Sequence, residues 1–305
     1  MLFQSNGLCP ICKTPGENWC KTQDWEYRAT TDWYTYLQCP FCQTLFIKEV
    51  LHDDLLNIYP PDYYSFSAKA GRSIFKLKDA WDRYYYKSLL KKIDAVSLSV
   101  LDIGGGTGEV LDSLKKADNR IGYTEIIDID KGSAHTARQK GHVYTHSTIE
   151  KYTTDKKFHV ILLLNIIEHV GNPVQIIEKA GGLLAEDGII VIKTPNADSL
   201  DARLFRNHYW GGLHCPRHWV IFTDHSFKMM IKQSSLILKN IKFTQGAPFW
   251  SWSLLNLFRK KDIKQHKRPL IEHVLFAPLS VLFAIFDIAR SIVSKTSQMF
   301  ITLSK

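Results

Sequence analysis

The sequence predicts an α/β protein built around a doubly wound parallel sheet, with a small cysteine-rich module in front and a hydrophobic helical insertion near the C-terminus. Three observations carry this prediction. Ser97-Leu-Ser-Val-Leu-Asp102 runs into Ile103-Gly-Gly-Gly-Thr-Gly-Glu109 and then Val110-Leu-Asp-Ser-Leu-Lys115, which is the strand, glycine turn and helix of a nucleotide-binding unit. Two apolar runs, Phe158–Leu164 and Gly188–Lys193, alternate with a helical segment around 174–184, the pattern of buried parallel strands and their crossovers. Four of the six cysteines form two identical pairs, Cys9-Pro-Ile-Cys12 and Cys39-Pro-Phe-Cys42.

Composition sets the outer limits. The chain has 305 residues, 45% hydrophobic and 23% charged, which excludes wholesale disorder, collagen and coiled coil. There are 39 basic and 30 acidic residues, a formal +9, which favours anionic partners without choosing among nucleic acid, phosphorylated metabolites and lipid headgroups. No run of about 18 apolar residues is present, so a membrane-spanning helix is not expected. The first residues, Met1–Gly7, show neither a basic n-region nor an apolar h-region, so we expect a cytoplasmic protein.

Each cysteine pair brings two thiolates to one knuckle, and two knuckles supply four soft ligands in tetrahedral geometry. Cys9, Cys12, Cys39 and Cys42 are therefore the expected ligands of a structural zinc. The alternatives are two disulfides, which suit an oxidising compartment, or idle thiols. Tyr34–Gln38 alternates as a strand leading into the second knuckle. A segment of this size, residues 1–50, is too small to build a core unaided. Cys20 and Cys215 lie outside the pairs and are expected to be small buried hydrophobes. Residues 51–95 read as a connector or lid, with aromatics from Tyr59 to Phe66 and helical spacing from Ile74 to Ile93.

Within the α/β unit, residues 96–248 plus 296–305, Tyr123–Asp128 reads as a second strand. Asp128 lies twenty residues beyond Gly108, where a carboxylate hydrogen-bonds a ribose diol. A dinucleotide dehydrogenase would show G-x-G-x-x-G. Gly104-Gly-Gly-Thr-Gly108 lacks the final glycine and no nicotinamide-site pattern follows, which argues against that class.

Together, Val100–Gly108, Ile126–Asp130, Asn165-Ile-Ile-Glu-His-Val-Gly-Asn-Pro173, Thr194-Pro-Asn196 and Pro216-Arg-His218 resemble the class I S-adenosylmethionine-dependent methyltransferases. The Glu-His-Val segment is similar to the subgroup of ubiquinone-type O-methyltransferases and of sugar and lipid methyltransferases. The resemblance covers about residues 96–245 and extends more weakly to the cysteine module, since zinc ribbons precede such domains in some relatives. It implies a Rossmann-like fold. It also implies that Asp102 orients the methionine amine, that Gly104, Gly106 and Gly108 let the backbone pass close to it, and that Asp128 takes the ribose hydroxyls. Thr148 and Ile149 would flank the adenine, and Asn165 would contact the methionine part.

Methyl transfer needs positioning and removal of a proton from the acceptor. His169, His214 and His218 are the candidate bases, the first expected to start a helix and the others in a shaped loop, Trp210–Trp219. Some relatives bind a divalent metal through Glu-x-x-Glu-His and a downstream histidine. Here Asn165 replaces the first glutamate, so no catalytic metal is expected.

The insertion, residues 249–295, combines aromatic Phe249–Phe258, a basic run from Arg259 to Arg268, and apolar Val274–Ala289 interrupted by Pro278 and Asp287. It fits a docking element on an anionic membrane surface, a dimer interface or a cap on the substrate pocket; we favour the membrane. Gln298–Ser304 reads as a closing strand. The expected activity is methylation of oxygen on a glycan, lipid-linked intermediate or small metabolite, by a protein peripheral to the membrane. A non-catalytic cofactor-binding scaffold and a nucleic-acid methyltransferase are the alternatives, the latter disfavoured because the basic residues sit beside an apolar helix rather than along a groove.

Overall fold

The computed structural model describes residues 6–49, 86–207, 209–259 and 273–305. Most of the expected connector, 51–85, and the basic run from 260 onward lie outside the described residues.

The main sheet has seven strands in the order β10-β11-β8-β7-β4-β5-β6. Strands β4 (Leu98–Ile103), β5 (Ile121–Asp128), β6 (Val143–His146), β7 (Phe158–Leu164) and β8 (Leu184–Pro195) run parallel. β11 (Gln298–Ser304) pairs antiparallel with β8 and with β10 (Ile237–Thr244). The central strands are apolar on both faces because helices cover both sides, as parallel sheets require. The strand order reverses between β4 and β7, and that crevice, outside the carboxyl ends of the strands, is where a ligand binds in such sheets.

Local chemistry explains the crossovers. Helix α1 (Glu109–Ala117) starts from left-handed Gly108, buries Leu111 and Leu114, and carries acids in its first turn and lysines in its last, matching the helix dipole. Helix α2 (Ser133–Gln139) opens beside Asp130, whose carboxylate accepts from Gly132 N and from Ser133. Helix α3 (Pro173–Leu183) is capped by the Asn172 side chain on Gln175 N at 3.2 Å and has proline at its first position. The expectation that His169 starts a helix is corrected. His169 ends a short 3₁₀ turn, Ile167–His169, and α3 begins only at Pro173.

The cysteine module forms a second sheet, β1 (Glu17–Thr22), β2 (Tyr34–Gln38) and β3 (Leu45–Ile47), in antiparallel register. It does not stand apart. β3 pairs with β9 (Val220–Ile221), a strand from the far side of the sequence. None of the six cysteines is in a disulfide, and the Sγ atoms of Cys9 and Cys42 lie 3.4 Å apart, as do those of Cys12 and Cys39. A tetrahedral zinc with bonds of about 2.3 Å sets its sulfurs just under 4 Å apart, so this cluster has the spacing of a four-thiolate site rather than of two disulfides. Cys215 is buried and Cys20 half-buried.

After helices α4 (Leu200–Leu204) and α5 (Asp224–Ile231) and strand β10, the insertion forms α6 (Ala247–Arg259) and α7 (Phe276–Arg290), which pack on each other through Trp250 stacked on Phe283 at 5.1 Å. Asp287, which interrupts the apolar run in the sequence, anchors it. Its buried carboxylate accepts from Gly246 N (3.0 Å), Trp250 Nε1 (3.2 Å), Ser297 Oγ (2.9 Å) and Arg290 (3.1 Å). Asp287→Ala takes the acceptor from Gly246 N and Trp250 Nε1 and the carboxylate from Arg290, while Ser297 Oγ keeps Asp201. We expect it to cost about 3–5 kcal/mol, measured by urea unfolding.

Candidate active site

The glycine turn is shaped by what surrounds it. Gly104, Gly106 and Gly108 all have positive φ, at 75°, 52° and 80°. A side chain at Gly104 would strike Ile166 (2.1 Å from Cδ1), and one at Gly108 would strike His142. Gly106 differs: its missing side chain faces open space, and that is the cradle a ligand can fill. Asp102, buried at the end of β4, has its carboxyl pushed up to about 8 by burial and by the neighbouring Asp128 carboxylate. A buried acid left in this state calls for a cation, such as an amino group, to ionise it.

Asp128 ends β5 half-buried. Its Oδ2 accepts from Gly106 N at 2.8 Å and its Oδ1 from Asp130 N at 2.8 Å. It therefore braces the glycine turn, while each carboxylate oxygen keeps a second lone pair for a hydroxyl. Thr148 is half-buried in the turn after β6, and the side chain of Ile149 is buried in the core. Asn165 follows β7 with φ 57° and accepts from Gln298 Nε2 at 3.2 Å.

The three candidate histidines, up to 49 residues apart in the chain, come together. Ring centroids are 4.7 Å apart for His169 and His218, 5.0 Å for His214 and His218, and 6.4 Å for His169 and His214. Their hydrogen bonds divide their roles. His169 Nδ1 pairs with the Arg217 carbonyl and His218 Nδ1 with the Gly212 carbonyl, each at 2.8 Å. A carbonyl only accepts, so both rings carry the proton on Nδ1 and present the Nε2 lone pair. His214 has both nitrogens engaged, Nδ1 with Glu26 and Nε2 with Arg217 Nε at 3.3 Å. Burial lowers all three, His169 to about 4, so they are neutral near pH 7.

Glu168 completes the group. It is fully buried, its Oε2 accepts from Thr194 Oγ1 at the end of β8 (2.9 Å), and its Oε1 has no hydrogen-bond partner among the described residues. Burial pushes its carboxyl up to about 8. One oxygen of Glu168 and one nitrogen each of His169 and His218 lie within 4.8 Å of one another. A carboxylate and two imidazoles, each imidazole steered by a carbonyl on its other nitrogen, form a donor set that fits a divalent cation. With Asn165 in place of the first family glutamate, Glu168, His169 and His218 still stand together. Ile166, packed on Gly104, joins this cluster to the glycine turn.

Sequence reasoning did not single out Asp24, Glu26 and Arg217. Arg217 is buried and bidentate on Asp24, at 3.0 and 2.8 Å. Nothing in the spacing of residues 24 and 26 announces contacts about 190 positions away.

Residues 78–236, 159 of the 305, match the methyltransferase domain family. The chain belongs to that family. With its parallel-rich sheet and glycine turn, it is a class I S-adenosylmethionine-dependent methyltransferase domain. Curated relatives include ubiquinone biosynthesis O-methyltransferases from Rickettsia felis, 26% identical over 149 residues (47% of this chain, 58% of that protein), and from Rickettsia akari, 29% identical over 145 residues (46% and 55%). The chain spans a little over half the length of these relatives. Among solved structures, a plantazolicin methyltransferase in complex with SAH is similar with TM-score 0.48 and 16% identity, covering 79% of this chain and 92% of that one. A SAM dependent methyltransferase from Archaeoglobus fulgidus has TM-score 0.48 and 17% identity, covering 76% and 98%.

The methyltransferase reading of Asp102 has a measurable consequence. With its carboxyl near 8, Asp102 is mostly protonated at pH 7, and an amino group bound beside it lowers that value. Binding of S-adenosylhomocysteine at pH 7 should release close to one proton, by about 0.9 from linkage, and should tighten as pH rises from 6 to 8. Calorimetry in buffers of different ionisation enthalpy reads this directly. Asp102→Asn should abolish the release.

Proposed function

We propose that the protein methylates an oxygen of a small or lipid-linked acceptor, using S-adenosylmethionine, with the Glu168–His169–His218 cluster as the site of deprotonation. The observation that carries this is Glu168 Oε1, which has no hydrogen-bond partner among the described residues and lies 3.9 Å from His218 Nε2, with a nitrogen of His169 in the same cluster. When bound, the cofactor supplies an electrophilic sulfonium methyl open to in-line displacement. Asp102 would hold its amine, Asp128 its ribose, Gly106 its close approach and Asn165 its methionine end, with Thr148 and Ile149 beside the adenine.

A general base works best with a pKa near the operating pH. His169, near 4, is a weak base, whereas Glu168, near 8, is matched to the task. The histidine base expected from sequence thus becomes a carboxylate assisted by two neutral imidazoles. The acceptor proton goes to Glu168, and His169 and His218 orient the hydroxyl. A divalent cation held by the same three residues would supply Lewis acidity to an acceptor oxygen. Cys9, Cys12, Cys39 and Cys42 hold structural zinc in this reading.

Transfer of labelled methyl from S-adenosylmethionine into a lipid extract and a small-molecule hydroxyl panel tests this reading. Glu168→Gln should leave S-adenosylhomocysteine affinity within about threefold and lower transfer by roughly 100-fold or more. The wild-type rate should climb with pH and level off above about 8, because Glu168 must ionise to accept the proton; a flat profile between pH 6 and 9 refutes the assignment. If neither S-adenosylmethionine nor S-adenosylhomocysteine binds, the non-catalytic scaffold takes its place. Steeply salt-dependent binding to RNA or DNA would favour a nucleic-acid acceptor.

Helix α7 favours a lipid-linked acceptor and peripheral contact with the cytoplasmic membrane face. Its outward side exposes Val281, Leu282, Ile285, Phe286 and Ile288, and the sequence from Arg259, the last residue of α6, to Arg268 carries six basic residues against one acid. Apolar burial plus headgroup attraction is the signature of an interfacial helix. No helix among the described residues is long and apolar enough to cross a membrane. The protein should pellet with vesicles of phosphatidylglycerol and not with neutral ones, and Leu282→Glu with Ile285→Glu should leave it in the supernatant.

A further inference from the structure

The loop between β1 and β2 sends two carboxylates into the histidine cluster. Asp24 and Glu26 are both buried, as are their partners Arg217 and His214. Asp24 also accepts from Tyr27 N (3.0 Å) and Ala29 N (3.1 Å), which fixes the loop around it, and the Arg217 guanidinium lies 4.7 Å from the Tyr27 ring centre.

Arg217 meets three partners at once. Its terminal nitrogens grip Asp24, its Nε donates to His214 Nε2, and its carbonyl accepts from His169 Nδ1. The donation to Nε2 requires a lone pair there, so His214 carries its proton on Nδ1 and delivers it to Glu26. His214, through Glu26, and His169, through the Arg217 carbonyl, are therefore oriented by contacts that lead to the cysteine module, while His218 is held within its own loop by the Gly212 carbonyl. The interface between the two sheets has apolar means of cohesion already, in Trp19 against Trp210 at 6.0 Å and in the β3–β9 pairing. Buried ion pairs add little net stability over apolar contacts but specify geometry, which is the use this placement fits.

We propose that the cysteine module is a working part of the acceptor site, with Asp24 and Glu26 as positioning residues that fix His214, Arg217 and, through the Arg217 carbonyl, His169. This deepens the methyl-transfer reading and rests on it. Zinc held by Cys9, Cys12, Cys39 and Cys42 would then serve the site only indirectly, through the small sheet whose β1–β2 loop carries Asp24 and Glu26.

The test is imidazole ¹⁵N NMR of the full-length, zinc-loaded protein, as wild type, Asp24→Asn and Glu26→Gln, with S-adenosylhomocysteine titrated into each sample. In the wild type His169 and His214 should each appear as a single Nδ1–H tautomer. Asp24→Asn should turn His169 into a mixture of tautomers, and Glu26→Gln should move the His214 Nδ1–H resonance upfield, with zinc content and S-adenosylhomocysteine affinity retained. Unmoved His169 and His214 signals in both variants overturn the proposal. Should a variant not fold, the wild type still decides, because a proton on Nε2 of either ring contradicts the arrangement. Failure of the wild type to bind S-adenosylhomocysteine would sink the methyl-transfer reading instead, whatever the histidine signals show.

Discussion

One residue ties the two sheets together through its backbone. Trp219 N donates to the Glu168 carbonyl at 2.7 Å, and the Trp219 carbonyl accepts from Ile47 N at 3.0 Å. Between those bonds the chain passes from the methyltransferase site into the edge of the cysteine module. Backbone groups buried in such a place must be paired, so the position of the loop at 210–219 is not adjustable without breaking one sheet or the other. The Tyr36 hydroxyl adds a bond of 2.8 Å to the His218 carbonyl from the same side. The placement of His214, Arg217 and His218 follows from this constraint.

The candidate site concentrates buried ionisable groups. Asp102, Glu26 and Glu168 are all raised to about 8 by burial, while the histidines are depressed by the same cause. Acids moved up and bases moved down leave groups poised to exchange protons with a ligand. Helix α6 seals the other side, with Trp252 stacked on His214 at 5.6 Å and Ser253 Oγ accepting from Gly211 N at 2.8 Å. In the insertion, α6 covers the loop at 210–219 and α7 exposes apolar side chains.

The sequence was most legible where structure is local. Tyr34–Gln38 and Gln298–Ser304 are strands over the expected residues because alternation and apolar runs specify strands directly. The glycine turn, Asp102 and Asp128 were likewise readable, since their spacing is fixed by one strand, one turn and one helix. The loop holding His214 and His218 could be recognised as shaped, but not which ring kept a lone pair, because that depends on partners such as Glu26 from the other end of the chain. His169 does not start the helix because Asn172 and Pro173 supply its cap and first residue. Asp287 looked like a flaw in an apolar run and is its anchor, since Gly246 and Trp250 reach it from 41 and 37 residues earlier in the chain.

The order of strands in the main sheet also bears on how the chain comes to be folded. β11 lies between β8 and β10, yet it is made about a hundred residues after β8 and after the whole of α7. During synthesis, the inner edge of β8 stays open until residues 298–304 leave the ribosome. An unpaired apolar strand edge and an exposed apolar helix then coexist in the nascent chain, the combination that draws chains into aggregation and recruits chaperones. The last strand is the bolt that closes the sheet, and the cell must shelter everything before it until it arrives.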